Sequence, residues 1–228
     1  MMTLELAVRL AEILLGVAIF QQSLEFMRGL QPEKTLGLMR AFLAIVLMLG
    51  FQPFLVETVL VVTSVILIKR FHGPYNGGSD TMTILVLLCI WLSHLVPAGY
   101  WQEIALGYLA IQVILSYFQS GWVKFVSADW RTGRALQNVF LFTAYPISNN
   151  LRLWAQRPQL LLWISWVVII FELVFPLMLF NQTLLLITLG IGALFHVSNA
   201  LLFGLNRFVL AWFSAYPILI WLQNRLFN

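Results

Sequence analysis

Long apolar runs separated by short polar connections dominate the chain. A helix that crosses a bilayer needs about 20 mostly apolar residues. Runs of that kind read as spans at Ala11–Met27, Leu36–Phe51, Phe54–Ile68, Met82–Tyr100, Ile104–Val123, Leu160–Phe180, Thr183–Phe203 and Phe208–Leu222. The second and third are short and joined only by Gln52-Pro53, so they are either tilted spans or a hairpin. Leu136–Ile147 is apolar over only about a dozen residues, a length that suits a re-entrant or interfacial piece. Pro and Gly gather at Gly73-Pro74, Gly77-Gly78 and Pro97-Ala98-Gly99, as punctuation between helices. No repeat of fixed period, low-complexity segment or interdomain linker interrupts the pattern. It predicts an all-α fold: a polytopic integral membrane helical bundle of about eight transmembrane helices plus a possible re-entrant or interfacial helix, forming a single domain over residues 1–228.

Composition agrees with the pattern. Of 228 residues, 61% are hydrophobic and 10% charged, and the mean hydropathy is +0.90. A soluble domain carries about 25% charged residues, so a soluble globular enzyme is excluded, as are a disordered chain and a disulfide scaffold. The single cysteine, Cys89, lies inside an apolar run and leaves no intramolecular disulfide or CxxC pair. No residues are assigned to a metal.

The net charge of +4 comes from 13 Lys+Arg against 9 Asp+Glu. These bases are scattered through the connections, which argues for membrane topology and against nucleic acid. If Leu136–Ile147 does not cross, Arg28, Lys34, Arg40, Lys69, Arg70, Lys124, Arg131, Arg134, Arg152, Arg157 and Arg207 fall on or near one side. Arg9 and Arg225 alone fall on the other, which places both termini outside. Glu5, Arg9, Glu12 and Glu25 surround a short apolar stretch without an A-x-A exit, so a cleavable signal peptide is not expected.

An ionisable side chain inside a span costs about 2.5–3.5 kcal/mol on insertion scales, so each is a candidate site. Glu172 sits mid-span with no charge within a dozen residues, His94 lies late in its span, and His196 is well inside another. The ordinary role of each is an interhelical hydrogen bond or ion pair. Pro176, four residues after Glu172, cannot donate to the Glu172 carbonyl, so the backbone opens where the carboxyl sits. Most of the 9 Trp and 6 Tyr lie near span ends, as an interfacial aromatic belt does.

Three constellations carry the candidate chemistry. Arg70 to Asp80 is a Gly-rich polar connection; Asp80 is placed to cap a helix starting at Thr81, and the P-loop Lys-Ser/Thr ending is missing. Tyr117 to Gly133 holds Lys124 with Gly121, Asp129 and Trp130. A lysine at a span end usually snorkels to the interface, whereas a desolvated one serves as a base. Phe195 to Phe203 sets His196 and Asn199 three apart on one helix face, either as a site or as a polar tie between helices.

Together these segments resemble the membrane domain of the vitamin K-dependent gamma-carboxylases and their bacterial relatives, the HTTM (horizontally transferred transmembrane) family. The similarity is carried by Gly121-x-x-Lys124 with Asp129-Trp130 and Gly133, by Phe195-His196-x-x-Asn199 with Leu202-Phe203, and by the polar entry Tyr75-Asn76-Gly77-Gly78-Ser79-Asp80. It extends over roughly residues 1–225. The resemblance implies that Lys124 is a base towards a quinone such as vitamin K hydroquinone, with His196 and Asn199 orienting it; Glu172, singled out by its place in mid-span, would join His196 in supporting that chemistry. Asn199, Asp80 and Trp130 would bind that cofactor. It also implies a bacterial cytoplasmic (inner) membrane, with the lipid bilayer as partner.

The chain departs from the carboxylases in having no large extramembrane domain. Lys124 stands about one residue further from Asp129-Trp130, with Phe125 where the base would align, and Gly77-Gly78 replace an expected histidine. The family places its site towards the outer side, whereas the charge count places Lys124 inside. Carboxylase-like base chemistry and a non-catalytic membrane subunit that scaffolds a protein partner both remain open. A transporter would carry paired broken helices in two related halves, and the sequence lacks that symmetry.

Overall fold

The computed structural model describes residues 2–70, 78–142 and 149–227. Among these the secondary structure is entirely helical, which bears out an all-α membrane-type chain. The helices are α1 (Leu4–Phe26), α2 (Glu33–Leu49), α3 (Pro53–Arg70), α4 (Gly78–Leu95), α5 (Tyr100–Val126) and α6 (Ala128–Arg131). They continue as α7 (Arg134–Phe142), α8 (Asn149–Arg152), α9 (Pro158–Val174), α10 (Gln182–Phe203), α11 (Asn206–Phe213) and α12 (Tyr216–Phe227). Short 3₁₀ segments follow α8 and α9. The helices group into two compact units, Met1–Ile111 with Arg207–Asn228, and Gln112–Asn206.

In the first unit α1 and α2 lie against each other along a seam of small side chains. Gly37, Ala41 and Ala44 recur at helical spacing on the buried face of α2, and Ala7, Ala11 and Gly16 are buried on α1. Small residues let backbones approach, which matters most where no hydrophobic force separates a helix neighbour from lipid. A Cβ on Gly37 would lie 2.9 Å from both the Met27 nitrogen and the Ser23 oxygen. One on Gly16 would lie 2.5 Å from Met48 Cγ and 3.0 Å from the Ala44 oxygen. Gly50, in the left-handed region at φ 75°, ends α2, and its N–H returns to the Leu47 carbonyl.

The outward faces are apolar. Leu38, Phe42, Ile45 and Leu49 form an exposed stripe on α2, and Leu55, Val59, Val62 and Ile66 form another on α3. Water would not tolerate such continuous stripes; hydrocarbon does. In the second unit Leu136, Phe140, Ala155 and Leu161 make a small core against Trp130 and Phe203. Gly133, at φ 76°, lets the turn before α7 touch the backbone of Leu162.

Among the described residues four helices are long and apolar enough to cross a membrane, against the about eight expected: Gly78–Leu95, Tyr100–Val126, Pro158–Phe180 and Gln182–Phe203. The difference has physical causes. α1 begins earlier than the apolar run and takes in Glu5, Arg9 and Glu12. α2 has only 17 residues, about 25 Å at a rise of about 1.5 Å per residue. The expected last span divides into α11 and α12, of 8 and 12 residues, just before Pro217, which disfavours helical geometry in the residue ahead of it. The apolar piece at Leu136–Ile147 contributes α7, whose 9 residues are too few to cross; residues 143–148 lie outside the described residues.

The close α1–α2 seam predicts that Gly37→Ala destabilises the protein by about 1–3 kcal/mol through overpacking. Gly107→Ala, where an added Cβ meets nothing within 4 Å, is expected to be neutral or slightly stabilising because alanine is the better helix former. Thermal unfolding of the two variants in detergent separates these outcomes.

Candidate functional site

One face of α5 carries Tyr117, Gly121 and Lys124, spaced four and three residues apart and therefore stacked along one stripe. Gly121 brings α9 in. A Cβ there would lie 2.8 Å from the Leu173 nitrogen and 2.9 Å from Glu172 Cβ, so any larger residue would displace the carboxylate-bearing turn. With the backbones this close, Lys124 Nζ donates to both oxygens of Glu172, at 2.8 and 2.7 Å. The ammonium also lies 5.2 Å from the centre of the Trp130 ring, within cation–π range. The Glu172 side chain is 3% exposed and that of Lys124 17%. The lysine therefore turns into the helices instead of snorkelling outwards.

Two turns back along the stripe the Tyr117 hydroxyl and His196 Nε2 share a 2.8 Å hydrogen bond. Both side chains are buried. Tyr117 stacks on Phe175 with ring centres 4.0 Å apart, and Phe171 meets it edge-on at 5.8 Å. The backbone change expected near Glu172 is present: α9 ends at Val174 and continues as a 3₁₀ segment through Pro176 to Phe180. One stripe of α5 thus carries a charged pair beside Trp130 and, two turns away, a neutral polar pair beside Phe171 and Phe175, an arrangement able to hold a proton.

The other residues singled out in the sequence fall elsewhere. Asn199, one turn beyond His196, is half-buried, and its carbonyl accepts the Leu205 N–H at the end of α10. Asp80 belongs to the first unit. Helix α4 starts at Gly78, so Asp80 sits in its first turn and does not cap a helix from Thr81. Its carboxylate accepts from Gln22 at 2.8 Å and from Arg207 at 3.0 and 3.2 Å, while Arg207 also donates to Glu25. The segment Tyr75-Asn76-Gly77 lies outside the described residues.

The structure adds polar residues that sequence reasoning passed over. Arg40, counted there as a base in a connection, is 2% exposed in mid-helix. It donates to Thr63, Ser64, the Leu60 carbonyl and Gln22. Tyr117 stands in the lysine segment, where the sequence alone gives it no distinct role. Glu12, noted only as a charge near the amino terminus, accepts from Arg9 at 2.7 Å and is 2.9 Å from His94. A charged residue inside an apolar run is the signal that the sequence carries for Arg40.

A family model described as HTTM domain matches residues 92–225, more than half of the chain. The matched segment contains Lys124, Trp130, Glu172, His196 and Asn199. No curated protein and no solved structure matches the chain.

Removing one partner of a buried ion pair strands the other, at a cost of about 3–5 kcal/mol, whereas replacing both with apolar residues is often neutral. Lys124→Ala and Glu172→Ala are therefore each expected to destabilise strongly, and Lys124→Met with Glu172→Leu to recover most of the loss. Chemical unfolding of the three variants in detergent checks the coupling.

Proposed function

The chain belongs to the HTTM family, and on that premise we propose that residues 112–206 hold an intramembrane site for a lipid-soluble, weakly acidic ligand, with Lys124 and Glu172 as its proton-handling pair. The observation that carries this reading is the bidentate Lys124–Glu172 contact, with its 2.8 and 2.7 Å bonds, beside Trp130. A mobile proton is held between an amine and a carboxylate. Its passage to Glu172 leaves Lys124 Nζ neutral, the form in which a lysine acts as a base.

The donor set fits a quinol of the vitamin K hydroquinone class. Phe171, Phe175 and Trp130 supply aromatic surface, and Lys124 and the Tyr117–His196 pair supply polar handles. Such a ligand supplies an acidic hydroxyl on a flat ring when bound. Lys124 is the base for that hydroxyl, Tyr117 and His196 orient it, and Asn199 borders the site one turn away. Asp80 has its carboxylate engaged by Gln22 and Arg207, so its part is structural in this reading.

We place the whole chain, as one domain over residues 1–228, in a bacterial cytoplasmic membrane. The apolar outer stripes of α2 and α3 support additional membrane segments beyond the four long helices, towards the count of about eight.

Native purification followed by mass spectrometry of co-purifying small molecules tests this function. A stoichiometric quinone or related lipid, lost in Lys124→Ala and retained in Lys124→Arg, is the expected result. Lys124→Arg keeps the charge and removes the base, so turnover should fall by at least about 100-fold, the usual contribution of general-base catalysis. A stoichiometric protein partner, no bound small molecule and a silent Lys124→Arg would instead make the chain a scaffolding subunit.

A further inference from the structure

A second cluster of ionisable groups lies within the first unit and has no part in the chemistry above. Glu12 on α1, Glu57 on α3 and His94 on α4 present one ligand atom each, and these atoms all lie within 4.8 Å of one another. His94 Nε2 is 2.9 Å from Glu12 Oε1 and 3.7 Å from Glu57 Oε1. Arg9 engages only the other oxygen of Glu12, Oε2, at 2.7 Å and also donates to the Leu47 carbonyl at 3.0 Å. Glu12 Oε1 therefore faces the cluster.

Glu57 is the independent observation. Its side chain is 0% exposed, and neither carboxylate oxygen has a hydrogen-bond partner. Thr58, its neighbour, is tied to Trp91 at 2.9 Å, which packs α3 against α4 and holds Glu57 towards His94. A carboxylate withdrawn from water is strongly unfavourable unless a cation or a proton neutralises it, and both Glu57 oxygens are open to such a partner.

From this geometry we infer that Glu12, Glu57 and His94 form a binding site for a divalent transition-metal ion of the zinc class. An imidazole nitrogen among the donors disfavours calcium or magnesium, which take oxygen ligands, and two carboxylates with one imidazole suit the borderline ions. Metal–ligand bonds of about 2.0–2.1 Å in a tetrahedral set place neighbouring donor atoms ~3.3 Å apart. The observed 2.9 and 3.7 Å separations bracket that value. Three protein ligands leave a fourth position open, and the His94 side chain, 26% exposed, marks the side from which an ion and water enter. The site stands independently of the function proposed for residues 112–206.

The test uses the full-length protein in detergent, stripped with a chelator and titrated with Co²⁺ and then Zn²⁺. One Co²⁺ per chain, with visible absorption of a low-coordinate nitrogen–oxygen site and displacement by Zn²⁺, is expected. Glu57→Gln and His94→Ala should each weaken binding at least about 10-fold, whereas Glu103→Gln, which touches only Arg225 at the chain's surface, should leave it unchanged. A monodisperse wild-type protein that takes up neither ion overturns the inference, as does binding that is unaffected in Glu57→Gln and His94→Ala. Should those variants fail to fold, X-ray absorption of the zinc-loaded wild type decides. One imidazole with two carboxylates is expected, and a shell containing sulfur or several imidazoles contradicts it.

Discussion

A charge placed among apolar helices must be given its counter-charge by the protein, because hydrocarbon offers neither water nor ions. That constraint organises the chain. With charged residues only 10% of the total, many of those inside helices are committed to a partner on another helix. Lys124 reaches Glu172, Arg207 reaches Asp80 and Glu25, and Arg9 reaches across to α2. Each pairing costs the desolvation of two groups and returns a fixed relation between helices that apolar packing alone would leave free to slide.

Close backbone approach makes these pairings possible. Gly121 lets α9 come near enough for the lysine to span Glu172, and Gly37 lets α1 and α2 meet where Gln22 joins Arg40 to Asp80. The glycines and the charges therefore act together: a methyl group on one alters the geometry of the other. Aromatic rings lie beside both polar pairs: Trp130 faces Lys124, and Phe171 and Phe175 pack on Tyr117.

The sequence made the all-helical membrane character legible, because run length and apolar content are local properties. It also marked Glu172, His94 and His196 as ionisable groups inside spans, and the match to an HTTM domain agrees with the resemblance carried by the lysine and His-x-x-Asn segments. The partners were not legible. Lys124 and Glu172 are 48 residues apart, and nothing local says which helix a buried lysine will face. The division of the apolar runs into helices was not legible for a related reason. Charges in α1 and a proline-directed break near Pro217 alter segments that hydropathy reads as continuous. Charge counting assumes that bases lie outside the membrane, whereas Arg40 is held inside by α3 hydroxyls.

Whether Lys124 turns inward to Glu172 in the membrane is measured directly by solid-state NMR of the protein in lipid bilayers, with ¹⁵N-lysine and ¹³C-glutamate labels. A strong dipolar coupling between Lys124 Nζ and the Glu172 carboxyl carbon is expected, as required by direct bonds of 2.7 and 2.8 Å. Its assignment follows from its loss in Glu172→Gln. A Lys124 nitrogen coupled instead to lipid phosphate, with no contact to Glu172, would contradict the account and leave the lysine a snorkelling base at the interface.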